Sequence, residues 1–169
     1  MKTLLVMRHA KSDWSADYGS DHERPLNQRG EHSARIMGRV LEADGCVPQV
    51  IVSSTAVRAR STAALANEAG HWDAELVLDD ALYGGGSDTA LQVASAAPDV
   101  ESLMLVGHQP TWSTLVTAVT GQRVEMKTAT VAVVGFDTPD WGELASTRGE
   151  LVAVYQPRDY EEGALGRVD

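Results

Sequence analysis

LLVMRHAKSDW, residues 4–14, contains the apolar run from which the fold class of this chain can first be predicted. Four consecutive apolar residues, Leu4–Met7, run directly into Arg8, His9 and the small Ala10. A short apolar run without polar alternation predicts a strand that is covered on both faces, as in a parallel sheet flanked by helices. Two explanations fit the charged end of such a strand: Arg8 and His9 cap a sheet edge, or they begin a catalytic site.

Outward from this stretch, short apolar runs alternate with longer segments of helical periodicity. The runs predict six strands, at Thr3–Met7, Val50–Ser53, Glu75–Leu78, Leu103–Val106, Ala129–Phe136 and Glu150–Tyr155. Helical spacing, with Ser, Thr or Pro at starts and Gly or Pro at ends, predicts four helices, at Arg29–Gly45, Thr55–Gly70, Ser87–Pro98 and Pro110–Gly121. The turn-rich DTPDWGELASTRG between the last two strands predicts a hairpin or loop at a sheet edge. This alternation predicts an α/β fold, a three-layer αβα sandwich with a mostly parallel central sheet.

The length and charge of the chain limit its organisation and its partners. We assign residues 1–156 of the 169 to a single domain, and the polar, acidic residues 157–169 to a C-terminal surface extension. The formal net charge of −10 argues against nucleic acids and acidic membrane surfaces as partners. A small anionic substrate therefore requires a local basic pocket.

The sequence also predicts a location in the cytoplasm. The single cysteine, Cys46, cannot form an intrachain disulfide and suggests a reducing compartment. No apolar stretch approaches the roughly 18 residues that a membrane span needs. MKTLLVMRHA, at the N-terminus, has no long apolar core before its Arg-His pair, so we expect no signal peptide and no membrane partner.

Three of the predicted buried strands end in polar residues that suit an anion. The first ends in Arg8 and His9, the second runs into SSTAVRARST with Arg58, and the fourth runs into GHQP with His108. Ligands of parallel sheets bind outside the carboxyl ends of the strands. If these strands are neighbours, two histidines and two arginines meet there beside helix N-termini, which also favour anions. The pattern predicts a phosphate pocket, with Arg60 as the alternative to Arg58.

These motifs also resemble a known family. RHA after the first strand, SSTAVRARST after the second and VGHQP after the fourth resemble, in this order, the histidine phosphatase superfamily, which has the phosphoglycerate-mutase-like fold. The short chain, Ala10 in place of the usual glycine, and the segment ERPLNQRG are most similar to the small SixA-type phosphohistidine phosphatases. The resemblance extends from Met1 to about Tyr155.

The resemblance implies that His9 is the nucleophile that forms a phosphohistidine intermediate, and that Arg8, Arg58 and His108 bind the phosphoryl group. An imidazole attacks phosphorus only when neutral, and flanking cations favour that form. One ring nitrogen has to be held as N–H, and we expect a backbone carbonyl to accept its hydrogen bond. A protonated His108 stabilises developing charge. We expect neither a metal ion nor another cofactor, because the pocket supplies its own positive charge.

A second group of candidates surrounds these motifs. Arg24, Asn27 and Lys11 are candidate substrate-binding residues, although Arg24 and Asn27 can equally form a surface ion pair or a turn. Mutases of this superfamily typically carry a glutamate at the position of Lys11, which leaves its substrate contacts open. Further candidates are Ser12, the aromatic pair Trp14 and Trp112, for which core packing is the alternative, and Thr128 and Thr130 at the start of the fifth strand.

The sequence shows no clear candidate for the general acid of the reaction. Mutases and phosphomonoesterases of the family supply a glutamate after the third strand to protonate the leaving alkoxide, whereas this chain has LVLDDALYGGGSD there. An alkoxide needs that proton, and phosphohistidine needs it less, because its P–N bond breaks easily once the imidazole is protonated. The missing glutamate therefore favours phosphoramidate substrates, and Asp79 or Asp80 as the acid is the alternative.

The leading hypothesis is a metal-independent phosphatase that acts on protein phosphohistidine. The GGGSD stretch and the lack of an inserted domain suggest a shallow site that admits a protein side chain. A phosphomonoesterase of small phosphorylated metabolites is the alternative enzyme, and a non-catalytic phosphate-binding adaptor is the alternative from another class. The sequence does not predict an oligomeric state.

Overall fold

Six strands form the central sheet of the computed structural model, which describes residues 1–161. They are β1 (Lys2–Arg8), β2 (Val50–Ser53), β3 (Glu75–Leu78), β4 (Ser102–Gly107), β5 (Val131–Phe136) and β6 (Gly149–Tyr155). Their order in space is β3-β2-β4-β1-β5-β6. Strands β1 to β4 are parallel, whereas β5 is antiparallel to both β1 and β6. All six predicted strands and the mostly parallel sheet are confirmed.

Within residues 1–161, six helices connect or follow these strands. They are α1 (Gln28–Ala43), α2 (Val57–Ala69), α3 (Ala81–Gly84), α4 (Ser87–Ser95), α5 (Thr111–Thr120) and α6 (Arg158–Glu161). Two 3₁₀ helices lie at Asp21–Glu23 and Trp141–Ser146, the second within the predicted connection between β5 and β6. The four long helices match the prediction. The short helices α3 and α6 and the two 3₁₀ helices were not predicted, because so few turns are too short to show periodicity.

The core consists of two layers, one on each face of the sheet. Alternate residues of a strand point to opposite faces, so Leu4 and Val6 pack with α4 and α5, and Leu5 and Met7 pack with α1 and α2. All four side chains are fully buried. This confirms the three-layer αβα sandwich and explains why β1 shows no polar alternation.

The carboxyl ends of β2, β4 and β1 lie side by side at one edge of the sheet. Arg8 at the end of β1 is the register partner of Gly107 in β4, and Ser53 in β2 is the partner of Val106. The adjacency on which the predicted phosphate pocket depends is therefore confirmed. Segments 8–10, 54–58 and 108–110 leave the sheet from neighbouring positions.

The start of α1 packs closely against the segment that follows β1. Asn27 caps this helix by accepting a hydrogen bond from the Gly30 N–H at 2.8 Å, and its own N–H donates to the Lys11 carbonyl at 3.0 Å. A Cβ at Gly30 would lie 2.0 Å from the Lys11 carbonyl oxygen, which is backbone and cannot move aside. Only glycine fits this position, so the helix fixes the backbone directly after the Arg-His pair.

The C-terminal region begins with a buried proline. Pro157 is buried, whereas Arg158 and Asp159 of α6 are exposed. The predicted surface extension continues to residue 169, and residues 162–169 lie outside the described residues. No helix within residues 1–161 is both long and apolar enough to cross a membrane.

Candidate active site

His9 lies immediately after β1 and is 7% exposed. Its backbone is held on both sides, because its N–H donates to the Gly107 carbonyl at 2.9 Å and its carbonyl accepts from the Ala129 N–H at 3.1 Å. The ring nitrogen Nδ1 lies 2.7 Å from the Ala10 carbonyl oxygen. A carbonyl only accepts, so Nδ1 carries the proton and Nε2 presents the lone pair. The backbone acceptor that the sequence argument required is therefore present, one residue along the chain.

The surroundings of His9 keep its imidazole neutral. Burial lowers its pKa to about 3, with further lowering by His108, Arg58 and Arg8, although the hydrogen bond to Ala10 acts in the opposite direction. Flanking cations were expected to favour the neutral form, and their effect has this sign. Burial is nevertheless the larger cause, and the sequence did not reveal it. At neutral pH the ring is a free base with one available lone pair.

His108 follows β4 and faces His9, with the ring centroids 5.3 Å apart. Its Nε2 shares a hydrogen bond of 2.8 Å with the hydroxyl of Ser54, which follows β2. Burial lowers its pKa to about 4, and Arg58 and Arg8 add to the effect. The expected protonated His108 therefore differs from what the protein's own groups favour, because burial and three arginines, Arg24 included, outweigh Asp21, which acts to raise this pKa.

Three arginines surround the two histidines. Arg24 and Arg58 are buried, and the half-buried Arg8 donates from Nη1 to the Met126 carbonyl at 3.1 Å. The Nε atom of each of the three is buried without a hydrogen-bond partner. Buried cationic donors that the protein leaves partly unsatisfied are costly in a fold. Their convergence at one pocket indicates an anionic ligand.

Asp21 joins two of these arginines. Its carboxylate accepts from Nη2 of Arg24 at 3.0 Å and from Nη2 of Arg58 at 2.9 Å, and its carbonyl accepts from Nη1 of Arg58 at 2.7 Å. The Tyr83 hydroxyl also donates to this carboxylate, at 2.9 Å. Although partial burial acts to raise the pKa of Asp21, the hydrogen bonds from Tyr83 and Arg58 outweigh it and lower the pKa. Asp21 is therefore ionised.

These side chains line a cavity of about 790 Å³ at the carboxyl edge of the sheet. Its lining includes four cationic side chains and two carboxylates, so the pocket is locally basic although the chain carries a net charge of −10. The lining residues are Arg8, His9, Lys11, Ser12, Asp13, Trp14, Ser15, Asp21, Arg24, Asn27, Arg58, Tyr83, His108, Gln109 and Thr128. The local basic pocket required for an anionic substrate is present.

The structure brings most of the sequence candidates to this cavity and separates others from it. Arg58 lines the cavity, whereas its alternative, Arg60, is exposed and does not. At the mouth, Trp14 is 72% exposed and lies 3.5 Å from the Arg24 guanidinium, measured to the ring centroid. Trp112 is a core residue that donates to the Met7 carbonyl, so core packing, the alternative for this residue, is correct. Thr130 is fully buried and outside the lining.

The candidate general acids, Asp79 and Asp80, do not line the cavity. The Asp79 carboxylate accepts from the Ala81 N–H at 2.9 Å, and Asp80 accepts from the Thr55 hydroxyl at 2.7 Å. Strand β3, which precedes them, lies at one edge of the sheet, three places from β1 in the sheet order. At about 4.8 Å per strand this puts its end roughly 14 Å from that of β1. The structure therefore does not place Asp79 or Asp80 where a general acid would act.

The sequence reasoning missed both carboxylates that line the cavity, Asp13 and Asp21. Asp21, Asp13, Ser15, Tyr83 and Gln109 all line the cavity. Asp21 stands three residues before Arg24 in the chain, a spacing at which an acid and a base often pair. That spacing was the one signal in the sequence that could have pointed to Asp21. The sequence gives no signal for the contacts of Asp21 with Arg58 and Tyr83, because these residues are far apart in the chain.

No group of three or more histidine, cysteine, aspartate or glutamate side chains able to hold a metal ion occurs within residues 1–161. The candidate site therefore offers cationic donors and two neutral imidazoles. This combination suits an anion with several oxygen atoms and a nucleophilic attack on it.

Both pocket histidines make the free energy of unfolding pH-dependent. The pKa values of about 3 for His9 and about 4 for His108 lie below the ordinary 6.5. The unfolded chain binds more protons in this interval, so the free energy of unfolding falls as the pH drops below about 6.5, approaching ~1.4 kcal/mol per pH unit for each histidine. Urea unfolding at several pH values between about 7 and 5 measures the slope. We expect the double variant His9→Asn/His108→Asn to flatten the slope, and the exposed control His32→Asn to leave it unchanged. A slope in the double variant equal to that of the wild type contradicts the lowered pKa values of the two pocket histidines.

Known proteins share the sequence and fold of most of this chain. The model of the histidine phosphatase superfamily (branch 1) matches residues 4–83. The structure of a Nakamurella multipartitia protein with the provisional name phosphohistidine phosphatase SixA is 31% identical, with a TM-score of 0.79, and the match covers 92% of this chain and 96% of that one. A protein of Agrobacterium tumefaciens with the same provisional name is 29% identical, with a TM-score of 0.80 and coverage of 92% and 98%. An uncharacterised protein of Mycobacterium tuberculosis is 32% identical over 164 residues, 90% of this chain and 100% of that protein.

Proposed function

The chain belongs to the histidine phosphatase superfamily, in its SixA-type branch, and we propose that it hydrolyses phosphohistidine on proteins without a metal ion, through a phosphoryl intermediate on His9. The observation that supports this most is the state of His9. Its Nδ1–H is held by the Ala10 carbonyl, its pKa is about 3, and its ring lies among three arginines. The two similar proteins named after phosphohistidine phosphatase SixA support the same substrate class.

The proposed reaction proceeds in two steps. The Nε2 lone pair of His9 attacks the substrate phosphorus, the substrate P–N bond breaks, and the departing imidazole takes up a proton from solvent. Water then attacks the phosphorus on His9, the new P–N bond breaks, and inorganic phosphate leaves as a proton is released. The hydrogen bond from Nδ1 to Ala10 holds the ring in one orientation through both steps.

Arg8, Arg58 and His108 stabilise the phosphoryl group in this proposal. Phosphoryl transfer needs in-line placement and positive charge around three equatorial oxygens, and guanidinium groups suit that geometry. The phosphoryl dianion adds negative charge beside His108 and so acts against the lowering of its pKa. His108 then becomes a better donor when the substrate is bound than the protein's own groups make it.

The choice of phosphohistidine over a phosphoester follows from the carboxylates of the cavity. Those on its lining are Asp13 and Asp21. Asp21 is bound to two arginines, and its pKa is lowered, so it holds no proton to give to an alkoxide. The Asp13 carboxylate accepts from the N–H and the hydroxyl of Ser15. A site whose carboxylates accept hydrogen bonds and supply no proton favours a leaving group that departs as imidazole over one that departs as alkoxide.

Two alternatives are kept for specific reasons. A small-molecule phosphomonoesterase fits the same pocket if solvent or His108 protonates the alkoxide. A non-catalytic phosphate-binding adaptor needs only the arginines, and it gives no reason for the neutral, oriented His9. We also propose that the protein acts in the cytoplasm, where the lone, half-buried Cys46 stays reduced.

The test of the proposed function is a comparison of substrates that differ only in the phosphorylated residue. A peptide phosphorylated on histidine, the same peptide with phosphoserine, and a panel of small phosphomonoesters are compared by phosphate release. We expect kcat/KM to be more than about tenfold higher for the phosphohistidine peptide, because imidazole is the better leaving group. A preference of more than tenfold for an ester overturns the substrate assignment, and tight phosphate binding without any turnover favours the adaptor.

A further inference from the structure

A second cavity, of about 120 Å³, adjoins the candidate active site. Four of its lining side chains are cationic, and no carboxylate belongs to the lining within the described part of the chain. We call it the basic groove, and its lining residues are Lys11, Arg29, Ser33, Lys127, Thr128, Gln156, Pro157 and Arg158. On a chain with a net charge of −10, such a cluster is a local exception.

The basic groove is adjacent to the candidate active site. Lys11 and Thr128 line both cavities, so a ligand bound in the active site lies next to the groove. Its four cations come from separate elements: Lys11 follows β1, Arg29 lies in α1, Lys127 precedes β5 and Arg158 lies in α6. The fold therefore collects these charges from distant parts of the sequence into one surface.

All four cations of the basic groove are exposed. Lys11, Lys127 and Arg158 are exposed, and none of them forms an ion pair with a described carboxylate. Like charges that converge at a surface repel each other, and an anionic partner relieves that repulsion. Exposed cations on four elements form a surface for electrostatic docking and not an enclosed cage for one small anion.

We propose that the basic groove docks acidic side chains of a phosphorylated protein next to the phosphohistidine that enters the pocket. This inference rests on the proposed function and names the partner surface for the same site: a segment rich in aspartate or glutamate. Trp14, 72% exposed at the mouth of the pocket, provides an apolar contact for the same partner. The partner's acidic residues then select it among phosphohistidine proteins, while the pocket binds the phosphoryl group.

The test uses two peptides of equal length phosphorylated on one histidine, one flanked by glutamates and the other by glutamines. We expect the wild-type protein to have a kcat/KM about tenfold higher for the glutamate peptide at low salt, and this preference to shrink at high salt. The variant Lys127→Glu/Arg158→Glu loses the preference and keeps its activity on the glutamine peptide. The matched control Arg35→Glu/Arg39→Glu carries the same change in net charge on exposed positions of α1 outside the groove, and it keeps the preference.

The outcomes separate this inference from the proposed function. An equal kcat/KM for both peptides, or an equal loss in the groove variant and its control, overturns the basic groove as a docking surface. A loss on the glutamine peptide as well shows that the groove serves the phosphoryl group itself, which also overturns it. If neither peptide is hydrolysed, the proposed function fails. Binding of the unphosphorylated glutamate peptide, measured by fluorescence anisotropy in wild type and groove variant, then still decides whether the groove docks acidic segments.

Discussion

Replacing His9 with alanine or asparagine lowers turnover of a phosphohistidine peptide by about 10⁴-fold or more, because either change removes the only step that forms the intermediate. Both variants are needed. His9 is 7% exposed, so alanine leaves a cavity, whereas the asparagine amide keeps a donor near the Ala10 carbonyl. Phosphate release from the peptide measures the loss, and thermal unfolding of both variants shows whether the fold persists.

A second measurement detects the intermediate itself. Wild-type protein incubated with a phosphodonor and quenched in base should carry acid-labile phosphate on His9, and the variants should carry none. His32→Ala is the matched control, since His32 is exposed on α1 and does not line the cavity. Turnover in folded His9→Ala comparable to wild type, or a label on another residue, refutes the mechanism.

Removing the Arg58 guanidinium is expected to weaken substrate binding more than it slows the chemical step. Arg58 is 6% exposed, and its charge lies beside both pocket histidines, where it helps to lower their pKa values. A charge-assisted hydrogen bond to phosphate contributes about 1.5–3 kcal/mol. We therefore expect Arg58→Ala to raise KM and the inhibition constant of inorganic phosphate about 10²-fold, with a smaller decrease in kcat.

The chain offers a matched control two residues away. Arg60 is exposed and outside the cavity, so Arg60→Ala should leave both constants unchanged. Arg58→Ala also leaves Asp21 without one of its two arginines, and Arg58→Ala/Asp21→Asn separates that effect from the loss of a phosphate contact. If the double variant recovers wild-type KM, Arg58 acts by neutralising Asp21, and the proposed phosphate contact is wrong.

Much of the site was predictable because its residues stand at the ends of strands. Apolar runs such as Leu4–Met7 mark buried parallel strands, and parallel strands present their carboxyl ends at one edge. Arg8, His9, Arg58 and His108 therefore converge once β1, β2 and β4 are neighbours, which the sheet order confirms. A strand end is a local feature of the sequence, and that is why this part of the site was visible.

The acidic part of the site was not predictable in the same way. Asp79 and Asp80 also stand at the end of a strand, yet β3 lies at one edge of the sheet and neither carboxylate lines the cavity. Asp21 follows no strand, and it reaches the pocket because Arg58 and Tyr83, 37 and 62 residues away, bind its carboxylate. The order of strands in space and contacts at such separations depend on packing of the whole chain.

Periodicity and strand ends were enough to predict the α/β class, the six strands, the four long helices and the basic edge that carries the Arg-His pair, because these features are local and repeat regularly. The state of His9, in contrast, depends on tertiary contacts. Burial among His108, Arg58 and Arg8 and the bond to the Ala10 carbonyl set its charge and its free nitrogen. Tertiary contacts also place Asp21 between two arginines. They bring four cations together beside the site: Lys11, Arg29, Lys127 and Arg158. A pKa and a surface charge depend on distances through space, which separation along the chain does not encode.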